Sequence, residues 1–288
     1  MNPVKIFTDS TASLSEDLIN AYNISIVPLY VIFDDASYKD GIEINEKKLY
    51  ELVEKKKKLP KTAAASPTDY TNAFKPWVDK GYDIIYIGIS SYFSSTVQNA
   101  RIASKDFPQG RIYVIDSLNL SSGIGLLVLM ASELAMKGVD DAKSIYEKVS
   151  ATVPLVRSSF IIDTLKFLYM GGRCSSLARW MSSIFSIHPR IIVSEGKMAV
   201  GEKFNGKRTA VLNGLLETAL IKKDRIDPHR IFITHSFSSK EDIEYIKDGL
   251  QKAISPDEIL VTDAGCVIAS HCGKKTIGIL YIEKTQNS

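Results

Sequence analysis

The chain has 288 residues, a length typical of one or two domains, and its 45% hydrophobic and 24% charged residues exclude a disordered or fibrous protein. Lysine and arginine number 36 against 33 aspartates and glutamates, and so small a surplus gives no electrostatic reason to expect nucleic-acid binding. The three cysteines, Cys174, Cys266 and Cys272, are odd in number, so we expect free thiols rather than a disulfide framework.

Apolar stretches are too short for a secretory signal or a membrane span. The N-terminus, Met1 to Asp9, is typical of a short strand that ends in a polar turn, without the apolar core of a signal peptide. The most apolar run, Gly123 to Ala131, is well short of the roughly 20 residues that cross a bilayer. We therefore expect a cytoplasmic protein with no stable insertion in a membrane.

In the first half, β-branched segments alternate with amphipathic ones. The strand-like segments are Val4 to Thr8, Ile24 to Phe33, Ile84 to Ile89 and Arg111 to Ile115. This alternation is typical of a parallel sheet with helices on its faces.

Ser13 followed by Glu16 predicts a capping box at the start of the first helix. The run Lys55 to Lys58 ends an amphipathic stretch, and a solvated helix end is favoured over a phosphate or membrane contact.

In the second half the pattern changes to antiparallel strands. The strand-like segments are Ser158 to Ile162, His188 to Ser194 and Lys197 to Lys203. Glu195-Gly196 between the last two predicts a hairpin turn, and Pro154 ends the helical pattern before them. We therefore predict an α/β fold with an N-terminal three-layer domain built on a parallel sheet, residues 1–155, and a C-terminal α+β domain, residues 156–288.

Hydroxyl side chains follow several predicted strands. They include Thr8, Ser10 and Thr11, then Thr62 and Ser66, and five of the seven residues from Ser90 to Thr96. Ligands of open parallel sheets bind beyond the carboxyl ends of the strands, so these loops together suggest a site for a small anionic or polar group. Each loop taken singly is better explained by helix caps and turns, and Ser94 also suits a helix N-cap.

Other motifs leave their chemistry open. The chain has no P-loop, and Gly123 to Val128 lacks the third glycine of a dinucleotide fingerprint. The turn Gly171-Gly172-Arg173 either brings a guanidinium to a carboxylate or ends the preceding helix. His271 lies next to Cys272 and five residues after Cys266. Zinc spacing would need a second matching pair. A Cys/His nucleophilic pair is not supported either, because adjacent residues on a strand point to opposite faces and cannot share a proton. His271 is therefore either a hydrogen-bond donor in the crevice or a structural histidine, and we predict no metal site.

Several short motifs resemble those of the DegV family in order and spacing. They are Thr8-Asp9-Ser10-Thr11-Ala12, Asp40-Gly41, Pro60-Lys61-Thr62, Ser90-Ser91 with Ser94-Ser95-Thr96, Asp116-Ser117, Gly171-Gly172-Arg173, Gly206-Lys207-Arg208, and His271 with Gly273. Each motif is common by itself, but their joint register from about residue 4 to residue 282 is similar to that family over nearly the whole chain.

This resemblance implies a two-domain α/β protein that holds one long-chain fatty acid, such as palmitate, between its domains and uses no cofactor. Thr62 and Ser94 would hold the carboxylate, with His271 and Arg173 near the head group and Ser10 lining it. Such a protein performs no chemistry of its own and presents the acyl chain to a separate fatty-acid kinase. A dozen buried methylenes at ~0.8 kcal/mol each would give roughly 10 kcal/mol of transfer free energy.

The chain also departs from the family pattern. Where the family often has Thr-Ser-Gln-Pro, Ser-Gly-Thr and His-x-Gly-Pro-Gly, this chain has Thr62-Ala63-Ala64-Ala65, Ser94-Ser95-Thr96 and His271-Cys272-Gly273-Lys274-Lys275. These departures keep open a regulatory module with no specific ligand. A further hypothesis beside the carrier is an acyl hydrolase or transferase with Ser94 as nucleophile and His271 as base. Candidate tunnel residues, which also suit an ordinary core, are Ile124, Leu126, Leu127, Met130, Leu177, Trp180, Met181, Ile184 and Phe185.

Overall fold

The computed structural model describes residues 1–34, 36–172 and 187–285. Within them the chain forms a four-stranded parallel sheet, a three-stranded antiparallel sheet and a six-stranded mixed sheet. The parallel sheet comes from the first half of the chain and the mixed sheet from the second. This is the α/β architecture, with parallel and antiparallel halves, that the sequence predicts. In the same residues, no helix is long and apolar enough to cross a bilayer.

The strands are β1 (Val4–Asp9), β2 (Ser25–Val27), β3 (Tyr30–Phe33), β4 (Ala36–Lys39), β5 (Lys61–Ala63), β6 (Asp83–Gly88), β7 (Ile112–Asp116), β8 (Val156–Ile161), β9 (Ile187–Ser194), β10 (Lys197–Asn205), β11 (Ile226–Ser236), β12 (Ile259–Asp263) and β13 (Thr276–Glu283). The α-helices are α1 (Glu16–Ala21), α2 (Glu46–Lys56), α3 (Pro67–Asp79), α4 (Thr96–Ser104), α5 (Ser122–Lys137), α6 (Ala142–Thr152), α7 (Lys166–Met170), α8 (Arg208–Leu220), α9 (Lys240–Ile254) and α10 (Cys266–Cys272).

The parallel sheet has the strand order β2-β1-β6-β7 and is covered on both faces. Helices α3 and α4 pack on one face, and α5 and α6 pack on the other. Burial on both sides explains why β6 is a continuous apolar run in which Ile84 to Ile87 are fully buried. The carboxyl ends of β1 and β6 lie side by side, which brings the hydroxyl-rich loops after them to one edge of the sheet.

Helix α5 lies between the two larger sheets. Ten of its 16 residues are buried, and the surrounding core includes Ile85 and Ile87 from the parallel sheet together with Phe232 and Leu280 from the mixed sheet. A helix covered on nearly all sides has no solvent-facing stripe. Burial between the two sheets therefore explains why the run from Gly123 to Ala131 is so apolar, and no contact with a membrane is needed to explain it.

The mixed sheet has the order β10-β9-β8-β13-β11-β12, with α8 and α9 packed on the face opposite α5. The predicted hairpin is confirmed, because β9 and β10 pair antiparallel across Glu195 and Gly196. Both turn residues have positive φ, 49° and 79°, as a two-residue turn of type I′ requires. The division at residue 155 stays a prediction.

Three local predictions need correction. Ile24 to Phe33 is not one strand: Pro28 and Leu29 separate β2, in the parallel sheet, from β3, in the small sheet. Ser13 does not cap the first helix, because the chain makes a 3₁₀ turn over Ser10–Ala12 and Ser15 caps α1 instead. His271 and Cys272 lie in the last turn of a helix, α10, and not on a strand.

The lysine run does end a helix. Helix α2 stops at Lys56, and Lys57 takes a left-handed conformation with φ 52°. Lys56 and Lys58 each pair with Asp34, at 2.7 Å and 3.2 Å. The predicted end of a helix at this lysine run is confirmed.

Candidate ligand-binding site

The structure joins two of the predicted carboxylate ligands into one pair. Thr62 lies on β5, an edge strand of the small sheet, and His271 lies in the last turn of α10. Thr62 Oγ1 is 2.9 Å from His271 Nε2, although the two residues are 209 positions apart in the chain. Both side chains are half-buried, so the pair can be reached by a ligand and is partly shielded from water.

Ser94 lies in the loop between β6 and α4, at the edge of the same region. Its hydroxyl is hydrogen-bonded to the hydroxyl of Thr96 and accepts the Thr96 N–H at 3.4 Å. The preceding residue, Phe93, lines an apolar pocket that His271 also lines. The loop that carries Ser94 therefore forms part of the pocket that holds His271.

The structure does not test the predicted head-group roles of Ser10 and Arg173. The Ser10 hydroxyl accepts the Leu29 N–H at 3.1 Å and also contacts the carboxylate of Asp40, so its role toward a ligand stays a prediction. Arg173 lies outside the described residues. Gly171, two positions earlier, packs closely on the imidazole: a Cβ built on it would be 2.1 Å from His271 Nδ1.

Other hydroxyl residues of the same loops serve the protein itself. The Thr8 hydroxyl donates to the Ile87 carbonyl at 2.7 Å, and Thr11 donates to Asp9. Ser66 forms a capping box with Asp69 at the start of α3. A hydrogen bond to the neighbouring strand accounts for Thr8, and a turn and a helix cap account for Thr11 and Ser66.

A cavity of about 70 Å³ adjoins the Thr62–His271 pair. Apolar side chains make up most of its wall, and a few polar residues, His271 among them, complete it. Its lining residues are Ile89, Phe93, Leu120, Ser121, Phe160, Leu168, Met198, Thr234, His235, Ala264, Ile268, His271, Cys272, Thr276, Gly278 and Leu280. An apolar pocket with a few convergent polar groups is the usual form of a small-molecule site.

Most of this lining was not predicted from the sequence. Ile124 and Leu127 are core residues between the sheets, and Leu126 and Met130 line a separate surface groove. The remaining tunnel candidates, Leu177, Trp180, Met181, Ile184 and Phe185, lie outside the described residues. One signal was available: Thr276, Gly278 and Leu280 alternate along β13, which places them on one face of the sheet.

A buried carboxylate organises the loops after β1 and β6. Asp9 is fully buried and accepts hydrogen bonds from the Thr11 N–H at 2.9 Å, the Tyr86 hydroxyl at 2.9 Å and the Ile89 N–H at 3.1 Å. Burial raises the pKa of Asp9, and these hydrogen bonds oppose the shift. The sequence gives Asp9 no evident role. In the structure, Asp9 ties the loop that contains Ser10 to the start of the loop that contains Ser94.

Neither described cysteine suits nucleophilic or metal chemistry. Cys266 and Cys272 are buried, and burial raises the pKa of both thiols, that of Cys272 to about 12. A thiol with so high a pKa stays protonated at neutral pH and is a poor nucleophile. Across the described part of the chain, no group of three histidine, cysteine or acidic side chains is placed to bind a metal ion.

The sequence as a whole matches a known family. The model of the DegV family, described as uncharacterised proteins, matches residues 3–284. The chain belongs to the DegV family. A DegV domain-containing protein of Caldanaerobacter subterraneus is 32% identical over 288 residues, which cover 99% of this chain and all of that protein. Another, from Clostridium acetobutylicum, is also 32% identical with the same coverage.

Several solved structures share the fold over almost the entire chain. A DegV family protein of Thermus thermophilus, described by its fatty acid binding, has a TM-score of 0.88 at 27% identity. A stearic acid-binding protein of Eubacterium ventriosum has a TM-score of 0.86 at 26% identity. DegV of Bacillus subtilis, described as a fatty acid binding protein, has a TM-score of 0.85 at 26% identity. Each comparison covers 99% of this chain and 100% of the other, so the two-domain α/β fold of the DegV family is shown.

Proposed function

We propose that this protein binds one long-chain fatty acid, with the carboxylate at Thr62, Ser94 and His271 and the acyl tail in the adjoining apolar pocket. The observation that carries the proposal is the Thr62–His271 pair, 2.9 Å apart, beside a cavity with an almost wholly apolar wall. A ligand with one anionic end and a long apolar body matches this arrangement. The fatty-acid binding of its DegV relatives supports the same choice.

The proton arrangement at the pair determines how it would serve a carboxylate. If the His271 ring donates from Nε2 to Thr62 Oγ1, the Thr62 hydroxyl keeps its own proton for the ligand. Hydrogen bonds in such a chain strengthen one another. The Ser94 hydroxyl can donate in the same way while it accepts from Thr96. Arg173 and Ser10 complete the proposed head-group set.

The tail would supply most of the affinity, since each buried methylene contributes ~0.8 kcal/mol. The cavity of about 70 Å³ is only a few times the roughly 10 to 15 Å³ that one water molecule needs. A chain of about 16 carbons needs more room, so the proposal requires the pocket walls to separate as the tail enters.

We also propose that the protein has no chemistry of its own and presents the carboxylate to a fatty-acid kinase, in the cytoplasm. The hydrolase alternative requires a hydrogen bond between nucleophile and base. Here His271 Nε2 is bonded to Thr62 and the Ser94 hydroxyl to Thr96. The geometry therefore favours binding over acyl transfer.

The first experiment compares native mass spectra of the purified protein with a denatured, solvent-extracted sample. We expect a mass excess that extracts as a C16 to C18 fatty acid. In titrations with palmitate, the variant that combines Thr62→Val with Ser94→Ala should bind at least tenfold more weakly, because two donors to the carboxylate are lost. Thr152→Val is the matched control, since its hydroxyl donates to the Lys148 carbonyl of its own helix. A protein that is isolated empty and does not bind added palmitate would contradict the proposal.

The kinase step is tested separately. The palmitate-loaded protein is mixed with a purified fatty-acid kinase and ATP, and acyl phosphate is measured. We expect product with the wild-type protein and much less with the double variant. If palmitate binds normally and no acyl phosphate forms, the proposal of fatty-acid binding stands and the proposal of a kinase partner is wrong.

A further inference from the structure

Asp40 is a buried carboxylate that faces the first turn of the helix carrying His271. Its side chain is 2% exposed, and it accepts the Cys266 N–H at 2.8 Å and the Val267 N–H at 3.2 Å. These are the first two residues of α10, and Gly265 before them has no side chain with which to cap the helix. Asp40 therefore supplies the missing cap from a distant part of the chain.

The small antiparallel sheet holds α10 at both ends. Asp40 directly follows β4 and Thr62 lies on β5, and both strands flank β3. Helix α10 has seven residues, so it is about 10 Å long. Asp40 fixes its first turn, and Thr62 contacts His271 in its last turn. Because so short a helix moves as a rigid body, the placement of its first turn sets where His271 lies relative to Thr62.

Asp40 is itself held firmly. Its backbone N–H donates to the Leu29 carbonyl at 2.9 Å, and the Ser10 hydroxyl contacts its carboxylate. A Cβ on Gly265 would lie 2.9 Å from the Ser10 carbonyl oxygen and 3.2 Å from Asp40 Oδ2. Ser10, Asp40 and Gly265 are thus packed without spare room, and a glycine is needed where α10 meets them.

We infer that Asp40 is a positioning residue for the carboxylate site: it holds α10 so that His271 stays within hydrogen-bond distance of Thr62. The inference rests on the proposed function insofar as it concerns the ligand. It also gives Ser10 a part in the site through Asp40, independent of any contact with the ligand.

The first test needs no ligand. Protein labelled with ¹⁵N-histidine is compared by NMR in wild-type, Asp40→Ala and Asp141→Ala forms. Asp141 is the matched control, because its side chain caps α6 by accepting the Ser144 N–H at 2.8 Å. We expect the ring nitrogen resonances of His271 to move in Asp40→Ala and to stay in place in Asp141→Ala, although both variants lose a helix cap.

The second test uses two ligands, palmitate and hexadecan-1-ol, at a temperature where circular dichroism shows every variant to be folded. Asp40→Ala should weaken palmitate binding roughly tenfold, as expected for a disturbed hydrogen bond to a charged group, and change hexadecan-1-ol binding little. Asp40→Asn should fall between, since it keeps one oxygen acceptor. If Asp40→Ala does not fold, Asp40→Asn tests the positioning role of Asp40 by the same NMR and binding measurements.

The outcomes separate the two proposals. Unchanged His271 resonances and unchanged palmitate affinity, with a loss of stability like that of Asp141→Ala, would make Asp40 an ordinary helix cap and overturn the inference. If wild-type protein does not bind palmitate while Asp40→Ala still moves the His271 resonances, the proposed function fails and the positioning role stands.

Discussion

The Ser90 hydroxyl donates a 2.8 Å hydrogen bond to the carbonyl oxygen of Gly196. Ser90 is fully buried at the start of the loop that leads to Ser94, and Gly196 is the second turn residue between β9 and β10. On the same hairpin, Lys197 Nζ lies 4.5 Å from the centre of the Tyr92 ring. The loop proposed to bind the carboxylate is therefore in contact with a hairpin of the mixed sheet, and we expect this contact to influence the geometry of the site.

Gly196→Ala should disturb this contact. Gly196 has φ +79°, and an added Cβ would lie 2.7 Å from the Tyr92 ring and 2.8 Å from Ser90 Oγ. We expect a loss of about 2 to 3 kcal/mol in the free energy of unfolding, from the left-handed backbone and the steric clash together. Gly138→Ala is the control, with φ +66° and nothing within 4 Å. It should cost only about 1 kcal/mol, from the left-handed backbone alone.

Urea unfolding measures both losses, and palmitate titration shows whether the loop has moved. Only Gly196→Ala should weaken binding. Equal losses of stability in the two variants, with equal palmitate affinities, would mean that the hairpin has no effect on the Ser94 loop.

Tyr86→Phe tests the hydrogen bonds to Asp9. The Tyr86 hydroxyl donates to the buried carboxylate and is also 2.9 Å from the Tyr70 hydroxyl. Loss of one donor to a buried carboxyl group should lower the free energy of unfolding by about 1 to 3 kcal/mol. Tyr70→Phe should cost about 1 kcal/mol, because it leaves the Tyr86–Asp9 bond in place. Thermal or urea unfolding at neutral pH measures both losses of stability. A larger loss for Tyr70→Phe than for Tyr86→Phe would contradict the stabilising role of the Tyr86–Asp9 hydrogen bond.

Glu46 should make stability depend on pH near neutrality. Burial, together with the charge of Asp263, raises its pKa to about 7, against the opposing effects of the Ser236 hydroxyl and Lys274. A carboxyl with a raised pKa in the folded state holds its proton more tightly there than in the unfolded chain. Its contribution to stability is therefore present at low pH and lost as the pH rises from about 4.5 to about 7.

Glu46→Gln should remove this dependence. We expect the variant to be more stable than wild type at pH 8 by about 1 to 2 kcal/mol, allowing for the partial exposure of the carboxyl, and to differ less at pH 5. Glu54→Gln on the same helix is the control. Hydrogen bonding to Lys274 lowers the pKa of Glu54, so this substitution should change the pH dependence of stability in the opposite direction. Melting temperatures at the two pH values measure both effects, and a constant difference for Glu46→Gln would exclude this titration.

The sequence predicts the parts of this molecule that depend on local pattern. The β9–β10 hairpin follows from Glu195-Gly196, and the buried β6 follows from its apolar run. It does not predict the contacts that complete the site. Nothing local shows that Asp40 caps a helix that begins at Cys266, or that Thr62 meets His271. Helix α10 itself was missed, since its seven residues are too few for a clear helical period.

A buried arginine with two partly exposed glutamates also lies at the contact between the sheets. Arg230 on β11 is 7% exposed, and its guanidinium is 2.7 Å from Glu133 of α5 and 2.6 Å from Glu258. It also donates to the Tyr22 hydroxyl, at the end of α1, at 3.2 Å. Arg230 therefore links the mixed sheet to helices that pack on the parallel sheet.

A double-mutant cycle of Arg230→Met with Glu133→Gln should give a coupling energy of about 1 to 2 kcal/mol. This is less than the cost of breaking a fully buried pair, since Glu133 is 29% exposed. The exposed pair Lys75–Asp79, one helical turn apart on α3, is the control and should give about 0.3 to 0.5 kcal/mol. Urea unfolding of all the variants measures both. If the Arg230 coupling is as small as the control, the ion pair does not stabilise the contact between the two halves, and apolar packing around α5 must hold them together instead.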